Sequence, residues 1–265
     1  ELVSRLFEAM TADRRVPQDV LLLISRLHGP AMRLAVRDRS LLDHDRHPLW
    51  RFINQLAFIA EMTPHGGDPE RLALLRTAQA TIDQLTSEAV QRTGLYRWAW
   101  EHLQGFLDKR LQRRLATLAS QVGALQKSER KLSLNDSRRD AAPSTLNGPL
   151  DAHQLDTVPA EFIDSAVTPD QSMVAAEAWL SALQTGDWVR MFLQGRWLQV
   201  QLLWRGEQGE FLLFGDGSSD ETWAVRSRAL ALMHSHGLVK TLRVRSIVGS
   251  AAQRVQQDVA AETAA

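Results

Sequence analysis

Hydrophobic positions recur every three or four residues through the first half of the chain and every second residue through much of the second. The first spacing is that of one helix face and the second that of a strand. Leu2, Leu6, Phe7 and Met10 make one helical stripe; Val20, Leu21, Ile24 and Leu27 make another, opened by Pro17. His28-Gly29-Pro30 interrupts it, because Pro30 has no amide hydrogen and crowds the preceding turn. Pro48 after His47 starts a helix with Leu49, Phe52, Ile53, Leu56 and Ile59 on its core face. Asp68-Pro69-Glu70 starts the next, a capping carboxylate followed by proline at the first helical position.

The fifth helical segment is predicted to be one long helix. No proline falls between Leu95 and Leu134, and Leu103, Leu107, Leu111, Leu115, Leu118, Val122 and Leu125 sit three or four apart. At about 1.5 Å per residue, roughly 35–40 helical residues exceed about 50 Å, more than a compact domain. Its distal half is therefore expected to project, or to pair with a second copy or a partner as a coiled coil.

From Asn135 the pattern fails. Pro143, Pro149, Pro159 and Pro169 punctuate a polar stretch whose burial could not offset its ordering entropy. Residues 135–170 are expected to be a flexible linker, with a short docking motif at Phe162-Ile163. A helix over 171–183 follows, and then the period becomes two. Strands are predicted at 187–193, 196–202, 210–214, around 222–225, and at 240–247. Gln194-Gly195 forms the first hairpin turn, 226–236 a short helix, and 253–262 a frayed terminal helix. The fold class is thus α+β: an all-α region over 1–134, the linker 135–170, and a small, partly open antiparallel barrel over 171–265.

Composition removes several function classes. The chain of 265 residues has no cysteine, so disulfides, thiolate metal sites and a cysteine nucleophile are excluded. Net charge is zero, so an anionic partner has to meet a local patch. Residues 1–140 hold 22 Lys and Arg against 17 Asp and Glu, and residues 141–265 hold 9 against 14. No apolar run reaches membrane-spanning length and no secretory leader is evident, which points to the cytoplasm. The opening reads as mid-helix without an initial Met, so a longer parent chain is expected.

Three segments carry a resemblance. Thr185-Gly186-Asp187-Trp188-Val189, Gly195-Arg196-Trp197 and Val200-Gln201-Leu202-Leu203-Trp204 resemble a bacterial family of uncharacterised large proteins. Members have a helical N-terminal region and end in a barrel related to PilZ domains. Val16-Pro17 and Asp43-His44-Asp45-Arg46-His47-Pro48 look like the family's helical segment. The resemblance implies cyclic di-GMP as a possible ligand, gripped by an R-x-x-x-R pair before the first strand and a [D/N]-x-S-x-x-G stretch on the sheet. Asp216 and Ser218 supply D-x-S, but residue 221 is Glu where that pattern has Gly, and no arginine pair stands immediately before the first strand. The nearest, Arg110 and Arg114, lies across the linker on the long helix, and Arg33 and Arg37 make a second on another helix. Arg190, Arg226 and Arg228 are the arginines that could stand in.

Other groupings point elsewhere. Arg110, Arg113, Arg114, Arg130 and Lys131 make a basic surface for an acidic partner, nucleic acid or anionic lipid, without base-stacking aromatics among them. Asp43, His44, Asp45 and His47 have the residue types of a metal cluster, but their position before a helix favours capping by Asp43 or Asp45, with His47 merely preceding Pro48, and no metal site is expected. Of the eight tryptophans, Trp188, Trp197, Trp204 and Trp223 fall on strands, where alternation sends some into the core and leaves others for an exposed stacking surface. No phosphate loop, dinucleotide fingerprint, nucleophile elbow or zinc-protease motif occurs. The expected function is a non-enzymatic regulator or scaffold acting through protein contacts. The alternatives are a cyclic-dinucleotide receptor and binding of nucleic acid or a membrane surface by the basic helix.

Overall fold

Helices fill the chain as far as Asp136 and strands begin only at Trp188, so the fold is α+β. The computed structural model describes residues 2–43, 46–63, 68–136, 171–217 and 220–264. The expected linker and its Phe162-Ile163 motif lie outside the described residues, apart from Asn135 and Asp136, which end a helix. Two compact units interleave along the chain: Glu1–Lys109 with Val244–Ala265, and Arg110–Arg243.

The first unit is all helix. Its elements are α1 (Leu2–Thr11), α2 (Gln18–Ser25), α3 (His28–Ala35), a 3-10 turn (Arg39–Leu42), α4 (Pro48–Met62), α5 (Pro69–Ser87), the first part of α6 (Thr93–Thr117) and, from the far end of the chain, α10 (Ile247–Ala264). The start signals act as predicted: Asp68 accepts from the Glu70 amide at 2.9 Å at the head of α5. In α4, Trp50, Phe52, Ile53 and Leu56 are fully buried, and this helix lies against α2, α5 and α10. Arg71, buried in α5, donates from Nη2 to both carboxylate oxygens of Asp19 of α2 at 2.7 Å and from Nη1 to the Ala60 carbonyl at 2.9 Å. The terminal helix is longer than the frayed segment expected at 253–262. Val248, Ala251 and Val255 are buried along it, α1 packs against it, and Asn54 of α4 accepts from the Val248 amide at 3.3 Å.

The single long helix is corrected to two. α6 ends at Thr117 and α7 (Ala119–Asp136) begins after a tight turn in which the Leu118 amide donates to Leu115 at 3.1 Å. Neither proline nor glycine makes this break. The second unit's sheet does: Leu118, Val122, Leu125 and Leu132 pack onto Phe211, Leu213, Trp204 and Ala224. The stripe read as a projecting coiled-coil seam is covered by the chain's own strands.

The sheet holds β1 (Trp188–Leu193), β2 (Arg196–Arg205), β3 (Phe211–Asp216), β4 (Thr222–Arg226) and β5 (Val239–Leu242), ordered β4-β3-β2-β1-β5, with neighbouring strands antiparallel. It is open. Among the described residues no ladder joins β4 to β5, so the barrel expectation is corrected to a sheet covered by helices. The reason is that its apolar side is already buried: α8 (Gln171–Ala182) and α9 (Ser227–Ser235) pack together over Val189, Met191, Val200, Leu202, Leu212, Phe214 and Trp223. The fifth strand is four residues, and Ile247 belongs to α10 instead. Gln194 at φ 51° and Gly195 at φ 74° make the β1–β2 turn, matching the twist of a two-residue hairpin.

Candidate interaction surface and a buried histidine

On the face opposite α8 and α9, α7 covers positions from β2, β3 and β4. Farther along the same face the side chains meet solvent. The register places Trp188, Arg190 and Phe192 of β1 opposite Gln201, Gln199 and Trp197 of β2, and opposite Leu242 and Lys240 of β5. Gln201 is also opposite Gly215, two residues beyond Leu213, which fixes this as the side that α7 covers elsewhere. Arg190, Gln199 and Lys240 are exposed, and Trp197 keeps 42% of its surface in water. The Arg190 guanidinium lies over the Trp197 ring at 5.0 Å, and Phe192 meets that ring edge-on with centroids 5.5 Å apart. Trp188 and Trp223 are buried and Trp204 half-buried, so Trp197 is the strand tryptophan left to solvent.

The residues expected to grip a cyclic dinucleotide are distributed over the sheet. Asp216 pairs with Val200 and Val200 with Val189, so the Asp216 side chain belongs to the α8–α9 face. Arg190, the next residue along β1, belongs to the opposite one. Arg226 sits on edge strand β4, its guanidinium 5.6 Å from the Phe211 ring, with β3 and β2 between it and Arg190. Arg228 is exposed in the first turn of α9. Ser218 lies outside the described residues. What Asp216 does offer is its backbone carbonyl, which accepts from Arg114. A Cβ on Gly215 would come within 2.6 Å of Leu203 and 2.7 Å of the Arg114 guanidinium, so glycine here lets that arginine cross the strand. Of the expected basic surface, Arg113, Arg130 and Lys131 are exposed while Arg110 and Arg114 are half-buried. The break at Leu118 divides the set between α6 and α7.

The first unit holds an arrangement that sequence reasoning reduced to a cap. The cap of α4 is His47, where Asp43 or Asp45 was expected: its Nδ1 accepts from the Leu49 amide at 3.2 Å. With Nδ1 accepting, the neutral ring carries its proton on Nε2. That nitrogen is buried and has no hydrogen-bond partner among the described residues, and Asp38 Oδ2 stands 3.8 Å away. Asp38 accepts from the Ser40 amide at 2.8 Å and from the Thr93 hydroxyl, bonds that hold its carboxyl down at about 2. Burial pushes the imidazole below its usual value, against the pull of Asp38 and Asp43. Beneath it lies buried Tyr96, whose hydroxyl donates to Gln91 at 2.5 Å and whose phenol burial pushes upward. His44 and Asp45 fall outside the described residues; among those described, no group of three or more acidic or histidine residues is placed to hold a metal ion.

This helical unit is where a known family model matches. Residues 1–91 match the second domain of a protein of unknown function, DUF1631. The match covers about a third of the chain, includes Asp38 and His47, and ends before Thr93 and Tyr96; the sheet lies outside it. No curated protein and no solved structure matches the chain. Among the described residues no helix is long and apolar enough to cross a membrane.

Two signals in the sequence bore on these places. Asp38-Arg39-Ser40 has the spacing of an Asx turn, in which a carboxylate takes an amide two residues on. Gln199 and Gln201, alternating with Val200 and Leu202, mark the side of β2 on which Trp197 lies as the wet one.

Proposed function

We propose that this chain is a non-enzymatic regulatory or scaffold protein that works through protein–protein contacts, with a partner docked on the exposed face of β1, β2 and β5. The observation that carries the reading is Trp197, held in water beside Arg190 and Phe192. A large aromatic with an adjacent arginine is the composition that dominates binding energy at protein interfaces. The rigid sheet beneath it lowers the entropic cost of ordering those side chains on binding. In this proposal the chain acts in the cytoplasm, and the sheet unit is a PilZ-related platform given over to protein docking. Light scattering of the full chain, purified at low salt from cells that make it, tests the reading. The expected mass exceeds that of one chain, and Trp197→Glu lowers it to the single-chain value. A single-chain mass for both, or saturable heat on titration with cyclic di-GMP, overturns the proposal.

A further inference from the structure

On the face that holds Trp197, two cations oppose each other. Arg190 of β1 and Lys240 of β5 are direct cross-strand partners, so their Cβ atoms stand about 4.5–5.5 Å apart. Like charges so placed destabilise a sheet, and neither has a carboxylate partner among the described residues. Arg196, on the opposite face of β2, by contrast has Glu221 at 3.6 Å. Arg190 leans on the Trp197 ring, an arrangement that holds the guanidinium plane while leaving its N–H groups able to fork a carboxylate. Gln199 and Gln201, on the same face, add neutral amides and no negative charge.

Charge therefore selects an anionic occupant, and the rest of the unit selects its kind. Residues 171–243 contain as many acidic as basic side chains, whereas a nucleic-acid-binding domain shows a strongly basic footprint. Two cations beside an exposed tryptophan and a phenylalanine suit a short segment bearing a few carboxylates and an apolar side chain. We infer that this face binds an acidic, extended peptide segment of a protein partner, its carboxylates on Arg190 and Lys240 and an apolar side chain against Trp197 and Phe192. The inference rests on the protein-docking reading and names the chemistry of the occupant.

Fluorescence anisotropy with the full chain tests it, using three labelled probes: a peptide alternating Glu with Phe and Val, the same peptide with Lys for Glu, and oligothymidine. The acidic peptide is expected to bind saturably and the lysine peptide not at all. Lys240→Glu should weaken the acidic peptide at least about tenfold and raise Tm by about 1–3 °C, because it relieves the repulsion with Arg190. Lys240→Gln, which removes the charge without reversing it, should weaken binding less. Arg76→Glu, on an exposed site of α5, should change neither quantity. A gain in stability with a loss of binding is an outcome that misfolding cannot produce. No saturable binding of the acidic peptide, equal binding of both peptides, or indifference to Lys240→Glu overturns the inference. So does oligothymidine binding more tightly and depending on Lys240, which would assign the face to nucleic acid. A multi-chain mass in light scattering without acidic-peptide binding would remove this occupant and leave the docking reading standing.

Discussion

Glu129 and Gly206 meet so closely that a Cβ on the glycine would lie 2.6 Å from the carboxyl carbon of the glutamate. Glu129 comes from α7, is buried, and accepts from the Glu210 amide at 2.9 Å across the β2–β3 turn. The pair locks α7 onto the sheet. Gly206→Ala should cost about 1–3 kcal/mol through overpacking, and Glu129→Ala about 1–3 kcal/mol because the Glu210 amide loses its acceptor. In the Glu129→Ala background the alanine at 206 should cost much less, since the group it strikes has gone. Urea unfolding of the two single variants and the double variant measures this coupling.

Arg71 ties α5 to α2 and to the end of α4 at once. Arg71→Met should lower stability by about 2–3 kcal/mol through loss of its charged hydrogen bonds. Arg71→Lys should recover less than half of that, because one ammonium nitrogen cannot reach both Asp19 and the Ala60 carbonyl, which two separate guanidinium nitrogens serve. Thermal melting of the two variants gives the comparison.

Stability should fall with acid in two windows. His47 is neutral in the fold with its pKa depressed, so the unfolded chain binds a proton first as pH drops through its ordinary value of 6.5, and stability declines from there. Asp38 and Asp13 have carboxyls lowered from 3.8 to about 2; their contribution is complete above the unfolded value and is lost as pH falls toward 2. His234, whose imidazole burial also pushes down, contributes to the same window, so His47→Gln should shrink the upper window without removing it and leave the lower one in place. Denaturant midpoints recorded from pH 7.5 to 2.5 separate the two.

Two of the four strand tryptophans, Trp223 and Trp197, should behave oppositely. Trp223 packs in the core under α8 and α9, so Trp223→Ala should cost about 3–5 kcal/mol. Trp197→Ala should cost under about 1 kcal/mol, the worth of an exposed cation–π contact. Calorimetric melting of each variant checks the difference.

The local signals of this chain were legible and the long-range ones were not. Asp68-Pro69, His47-Pro48 and Gln194-Gly195 act within one turn of themselves, so residue type alone placed α5, α4 and the first hairpin. The break at Leu118 carries no local mark, because its cause is the apolar side of β3, far away in sequence. Ile247–Ala264 was underestimated for a similar reason: a stripe of Val248, Ala251 and Val255 offers little apolar area until α1 and α4 are there to receive it. At the buried histidine the helix start was legible from His47-Pro48 but the capping side chain was not, since Asp43 or Asp45 was expected and His47 accepts the bond; Asp38, Thr93 and Tyr96 come from three other segments. On the sheet, alternation foresaw that the tryptophans would divide between core and solvent, and the register then singled out Trp197. The β2 bulge at Leu203 shifts the facing of the residues that follow, which strict alternation cannot foresee.

The most direct measurement is site-specific photocrosslinking from Gln199, beside Trp197 on the exposed face, in the full chain inside cells that make it. The account predicts a discrete adduct with a second polypeptide, and its loss when Trp197→Glu is introduced into the same chain. Equal adducts with and without that change, or none in either, would contradict it.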